Sequence, residues 1–182
     1  MNAWDILEQD APLVAPLLLG WQLVHDTAEG RTAGIIIETE AYHQDDPASH
    51  SFNGVNNRNA PMFGPAGHAY VYRSYGMHWC MNVVTGNSGF GQGVLIRALF
   101  PTEGIPLMEK RRGRRDHLCS GPGKLTQAMD ISHIHNGHDL REPPLFLIPY
   151  PSLGYTATPR IGIAKAKEKP WRFVAQETRI LA

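Results

Sequence analysis

Cysteine is nearly absent. Cys80 and Cys119 are the only two in 182 residues, and neither stands in a paired or metal-like spacing. That excludes a disulfide framework and leaves two free thiols, as a reducing compartment allows. Net charge is absent as well, because 17 basic residues balance 17 acidic ones. No global field draws the chain toward nucleic acid or an anionic membrane, so any electrostatic footprint must be local. The one dense basic cluster, Lys110-Arg111-Arg112-Gly113-Arg114-Arg115, is equally well explained as a solvated helix end. Long apolar runs are missing too. The stretch from Pro12 to Leu19 falls far short of the ~20 residues a membrane span requires, and Pro12 and Pro16 interrupt it. With Asp5, Glu8 and Asp10 the N-terminus lacks the basic start of a secretory signal. The expectation is a soluble cytoplasmic protein, at the nucleoid if bacterial. Repeats and low-complexity tracts are also lacking, and the length suits one domain, 1–182.

What is present begins with Ile35-Ile36-Ile37-Glu38-Thr39-Glu40-Ala41-Tyr42, a β-branched apolar run leading into two acids and an aromatic. A two-residue period places Ile36, Glu38, Glu40 and Tyr42 on one face and Ile35, Ile37 and Thr39 on the other. Carboxylates at the end of a buried strand are costly to desolvate unless paired, and such groups are often acids, bases or ligands. Gly93 to Leu99 reads as a second buried strand containing Arg97, whose guanidinium requires an anionic partner. Glu38 and Glu40 are the candidates.

Around these strands the chain predicts a short helix over Ala15–Leu19 ended by Gly20. An antiparallel hairpin follows, pairing Trp21–His25 with Thr32–Thr39 across the turn Thr27–Gly30. Residues 43–68 form a polar Asn/Gly/Pro-rich connection long enough to suggest function. The aromatic stretch from Ala69 to Val84 reads as a hairpin with its tip at Tyr75-Gly76. A three-residue loop, Tyr75 to Met77, would put Tyr72 opposite Cys80 and on the face of Asn82; a two-residue loop would separate them. Helices are predicted at Gly104–Arg112 and after Cys119-Ser120-Gly121-Pro122, and Arg160–Ile163 reads as a strand.

Two tempting sites fail on inspection. Gly123-Lys124 opens a helix, but Leu118 and Leu125 stand where a phosphate-binding loop needs Gly and Ser or Thr. His133, His135 and His138 with Asp130 and Asp139 lack the spacing of a metal site, and the histidines are read as surface residues. No metal and no cofactor are expected.

Taken together, Ile37–Tyr42, His50, Arg58-Asn59, Met62-Phe63-Gly64, Tyr70–Asn82, Leu95–Leu99, Leu118–Leu125, Arg160–Ile163 and Pro170–Phe173 resemble the alkyladenine (3-methyladenine) DNA glycosylase family. The resemblance covers most of the chain, and it is the order and spacing of these segments that make it specific. It implies a single mixed α/β (α+β) domain with a curved antiparallel sheet, flanking helices and a hairpin that enters the DNA minor groove. It implies Glu40 as the base that activates water, with Arg97 placing that water. Tyr42, His50 and Tyr72 would form the pocket for an extruded base, and Asn82 would disfavour the amino group of guanine. Tyr75 would fill the vacated stack, with Met77, Arg58, Met62 and Lys124 as further DNA contacts. Asn53 and Val55 depart from the basic residues usual in that loop, and Phe100 departs from the carboxylate that commonly follows Arg-Ala-Leu.

The reading is a monofunctional, monomeric glycosylase without lyase activity that removes damaged purines from duplex DNA. Its alternatives are a noncatalytic module that holds damaged bases and, last, a metal-dependent phosphoesterase using Glu38 and Glu40.

Overall fold

The computed structural model describes residues 2–176, so the expected domain of 1–182 runs past it at both ends. Strand β2, Gly30–Tyr42, is the spine. It pairs antiparallel with β1 (Gln22–Thr27) and β5 (Gly93–Glu103), and near its end also with β8 (Arg172–Ala175). The sheet runs β3-β4-β5-β2-β1-β6, where β3 is Ala69–Ser74, β4 His78–Val84 and β6 Leu145–Ile148, while β7 (Tyr155–Thr158) pairs with β8. Every pairing between these strands is antiparallel. With three α-helices among the described residues the architecture is α+β, one domain around a curled antiparallel sheet.

Alternation along the strands separates the core from a cleft. Val71 on β3, Met81 and Val83 on β4, and Val94 and Ile96 on β5 enter the main apolar cluster. Their sequence neighbours Tyr70, Tyr72, Cys80, Asn82, Leu95 and Arg97 line a cleft on the other face. Helix α1, Ala11–Leu17, contributes Val14 and Ala15 to the core, α2 (Ile105–Arg112) contributes Met108, and α3 (Pro122–Met129) contributes Leu125, Ala128 and Met129. Gly123 matters here because a Cβ would stand 2.8 Å from His78 Cβ, so only glycine seats α3 against the turn end of the β3–β4 hairpin.

The pairing of β2 with β5 is irregular at three points, the first between Ala33 and Gly34. Pairing with β5 shifts between Ile36 and Glu38 and again between Glu38 and Thr39, so the expected face of Ile36, Glu38, Glu40 and Tyr42 does not hold. Ile36 is fully buried in the core cluster, and Thr39, three residues on, donates its hydroxyl to Ala15 O at 2.8 Å on the α1 side. An irregularity of this kind bends the strand and re-aims side chains, which is why bulges gather near functional sites. Only Glu38, Glu40 and Tyr42 remain together.

Other boundaries differ from the sequence expectation. Helix α1 begins at Ala11 instead of Ala15, with Pro12 in the first turn, where its missing N–H costs nothing. Arg160–Ile163 is irregular, not a strand; the strand in this region is β7, and Arg160 is instead held by its side chain. The β3–β4 hairpin has the three-residue connection: Ser74 faces His78 and Tyr72 faces Cys80. At its tip Tyr75 (φ 50) and Gly76 (φ 65) are both left-handed, and Met77 N–H donates to Ser74 O at 3.0 Å. Tight hairpins need this twist, which glycine adopts freely and tyrosine only at a cost. No helix among the described residues is long and apolar enough to cross a membrane.

Ile36→Ala should lower unfolding free energy by ~2–5 kcal/mol, the cost of an aliphatic deletion in a core that relaxes only in part. Urea denaturation measures it; a change below about 1 kcal/mol would place Ile36 outside the core.

Candidate active site

Glu40 is fully buried on β2. Three donors from three parts of the chain hold its carboxylate. Tyr42 Oη donates to Oε1 at 2.9 Å, Arg97 Nη1 approaches the same oxygen at 3.4 Å, and the Ile161 backbone N–H donates to Oε2 at 2.7 Å. Arg97 Nε in turn donates to Glu38 Oε1 at 3.1 Å, and Arg172 Nε reaches that oxygen at 2.6 Å. The result is a row of alternating charges, Glu40, Arg97, Glu38 and Arg172, in which no buried charge lacks an opposite neighbour. Phe100 supplies no carboxylate beside Arg97; Glu38 serves instead.

Tyr42, Arg97 and Ile161 open from this carboxylate onto a cleft of about 570 Å³. Its walls are aromatic. Tyr70 and Tyr72 stack with centroids 5.5 Å apart, and the His50 ring stands edge-on to Tyr72 at 4.5 Å. His50 Nδ1 lies 3.1 Å from Tyr70 Oη. Burial, reinforced by Glu40, raises the Tyr42 phenol far above its ordinary range, and burial also raises Tyr72, with Cys80 next in effect. Burial pushes Tyr70 up to about 12. All three phenols therefore stay protonated. Burial and then the Arg58 charge lower His50, so its imidazole is neutral at neutral pH. A cleft walled by neutral π surfaces suits a flat ring, most of all one carrying positive charge.

The long connection earns its length by carrying His50 to this wall. Asn59, 1% exposed, donates to His50 O at 2.9 Å and Gly54 O at 3.1 Å and accepts from Asn56 N at 2.7 Å. Asparagine is suited to this because one amide both donates and accepts. Asn82, buried on β4, lines the cleft and donates to Tyr70 O at 3.1 Å, which fixes which way its amide faces.

The remaining expected residues divide. Tyr75 is 91% exposed and Met77 72% exposed at the hairpin tip. Arg58 is at the cleft, its guanidinium 5.8 Å from the Tyr72 ring and bonded to Arg73 O at 2.9 Å. Met62 lines the cleft from behind, buried with Tyr70 and Val84 in a small second cluster, so it offers the surface very little. Lys124 is exposed on α3, outside the residues lining the cleft.

Three contributors escape sequence reasoning. The Ile161 amide is a backbone group and leaves no side-chain signal. Arg160 and Asp46 form a buried ion pair across 114 positions; Arg160 Nη2 donates to Asp46 Oδ1 at 3.1 Å, and Nη1 bonds the other oxygen. The available signal was an arginine set in an apolar Arg-Ile-Gly-Ile context, which called for an acid elsewhere.

The described residues thus set a buried carboxylate behind a cleft with aromatic walls on a curled antiparallel sheet. The model of the methylpurine-DNA glycosylase (MPG) family matches residues 5–179, and the chain belongs to that family. Among its relatives is a protein of Rhodopseudomonas palustris strain BisB18, 54% identical over 165 residues, 88% of this chain and 80% of that one. A protein of Methanoculleus marisnigri is 50% identical over 183 residues, covering 96% and 95%. One of Nitrosospira multiformis is 50% identical, covering 88% and 82%. All three carry the name "Putative 3-methyladenine DNA glycosylase".

No group of three His, Cys, Asp or Glu side chains suited to a metal is found among the described residues. The expectation of surface histidines fails for His135, which is buried and meets His25 edge-on at 4.7 Å. Burial lowers His25, and burial with the His25 charge brings His135 down to about 4. The folded protein thus binds fewer protons than the unfolded chain below the ordinary 6.5, so the pair's contribution is whole above about 6.5 and declines as pH falls toward about 4. Chemical-denaturation midpoints should fall across that window, and His135→Gln should flatten the fall. An unchanged slope in the variant would acquit the pair.

Proposed function

We propose that this DNA glycosylase extrudes an alkylated or deaminated purine, such as 3-methyladenine, 7-methylguanine or hypoxanthine, from duplex DNA and hydrolyses its N-glycosidic bond in base excision repair. The observation that carries the reading is the Glu40 carboxylate, held by three donors directly behind the aromatic cleft. As the general base it takes a proton from water as the water oxygen bonds to C1′. The C1′–N bond breaks and its electron pair leaves with the base. Arg97 orients the water beside Glu40. Alkylation at N3 or N7 makes the purine cationic, which favours both its departure and its stacking on neutral Tyr42, Tyr72 and His50. Hypoxanthine is neutral and gains from protonation as it leaves, a role open to Tyr72 or a bound water.

Extruding a base costs a few kcal/mol of stacking and pairing, which a wedge in the gap and a pocket for the base together offset. Tyr75 is the wedge, being almost wholly exposed at a tip where its own sheet cannot cover it. Buried Asn82 sets a fixed amide against the edge of the base where guanine carries its 2-amino group. Met77, Arg58 and Lys124 meet the duplex, while Met62 backs the pocket. The protein acts as a monomer in the cytoplasm, where free, buried Cys80 and Cys119 suit the reducing conditions.

The deciding experiment incubates the protein with duplexes carrying 3-methyladenine, 7-methylguanine or hypoxanthine, or no lesion, with and without EDTA, and detects free base. Release from no lesion would leave a binding module; release abolished by EDTA would restore a metal enzyme. Glu40→Gln should retain damaged-DNA binding while single-turnover excision falls by about two to four orders of magnitude, the scale of a general base. A parental rate would remove Glu40 from the mechanism. Tyr75→Ala should weaken extrusion more than chemistry, as a fluorescent base analogue opposite the lesion would report; unchanged extrusion would acquit the tip.

A further inference from the structure

One buried side chain outside the cleft's lining braces several of the groups that form it. Arg160 is 5% exposed and Asp46 fully buried, and the two pair through both carboxylate oxygens. The Arg160 guanidinium lies 4.8 Å from the Tyr42 ring centroid and 5.3 Å from that of Trp171. Its Nη1 also donates to Ala41 O at 3.0 Å, the carbonyl between Glu40 and Tyr42, and its Nη2 to Ala166 O at 3.3 Å. One planar group therefore ties four parts of the chain together: β2, the connection carrying His50, the approach to β8, and the far end of its own loop. Residues 161–165 of that loop line the cleft, and the first of them donates the 2.7 Å backbone hydrogen bond to Glu40 Oε2.

We infer that Arg160, paired with Asp46, is a positioning residue for catalysis: it holds the Ile161 N–H on the Glu40 carboxylate and the Tyr42 ring beside the bound base. The physical case is geometric. A backbone amide can serve a fully buried carboxylate only if its loop is fixed from outside, and among the described residues loop 160–166 belongs to no helix or strand. A guanidinium fixes it because its rigid fork bonds Asp46 bidentately while its flat faces remain free for rings; an ammonium keeps the charge and loses both properties. The charged and titratable groups around Glu40 are Tyr42 on β2, Arg97 on β5, Cys80 on β4, and, through Arg97, Glu38 and Arg172.

This rests on Glu40 being the general base, so the two ideas must be able to fail separately. Base release by the parental protein tests the first. Arg160→Lys, with the charge retained, tests the second by single-turnover excision across pH on saturating damaged duplex. The expected result is excision slowed about tenfold to a hundredfold, the scale of a small misplacement of a reacting group, with damaged-DNA affinity kept within a factor of a few. The acidic limb should also move to higher pH, because a carboxylate that loses a donated hydrogen bond is easier to protonate. A lesion in folding alone would lower the active fraction without moving that limb. Asp46→Asn, which leaves Arg160 in place between the rings, should show the same changes in smaller measure, and it decides the matter if the lysine variant does not fold. A parental rate and parental limb in the folded variant overturn the inference, and so does a rate loss matched by equal loss of DNA binding.

Discussion

A carboxylate stripped of water is the constraint on which this molecule depends. Glu40 has no solvent to stabilise its charge, so donors must replace hydration, and an unpaired buried charge would cost several kcal/mol. One strand cannot supply them. Tyr42 comes from β2 itself, Arg97 from its neighbour β5, and the Ile161 amide from a loop more than a hundred residues downstream. Both Arg97 and Ile161 are themselves fixed from behind, the first by Glu38 with Arg172, the second by Arg160 with Asp46. The site is thus also one of the closures of the fold.

The irregularity in β2 belongs to the same constraint. A regular strand would set Ile36 beside the acids and take it out of the core. The pairing shifts around Glu38 let Ile36 and Thr39, three apart, both face the helices, while Glu38, Glu40 and Tyr42 stay together on the cleft side. β5 does the same opposite: Ile96 and Leu99 enter the core and Arg97 between them reaches the cleft. Two strands that bulge together can bring an ion-pair row to a sheet without opening the core beneath it.

Balanced net charge is compatible with work on DNA because the cleft needs little long-range attraction once bound. Nonspecific affinity for DNA comes mainly from neutralised phosphates, and a chain with 17 charges of each sign offers few to spare. Besides Arg97, the basic side chains it has at the cleft are few: Arg58, which also bonds a backbone carbonyl, Arg73, which lies over Trp79, and exposed Lys165.

Sequence by itself determined the alternating strands, the hairpin with its tip at Tyr75-Gly76, the helices opened by Pro122 and after Gly104, and the pairing of Arg97 with Glu38 and Glu40. These are local matters of period, turn chemistry and the need of a buried charge for an opposite one, and a single stretch carries each signal. Sequence left that hairpin's loop at two residues or three, and the register that sets Tyr72 opposite Cys80 came with the fold. Tertiary structure alone decided the rest. The core side of Ile36 depends on register against β5, the burial of His135 depends on meeting His25, and Arg160, read as a strand residue, finds Asp46 across 114 positions. The Ile161 amide is the limiting case: every residue but proline carries that donor, so only the folded path of the chain says which one meets Glu40.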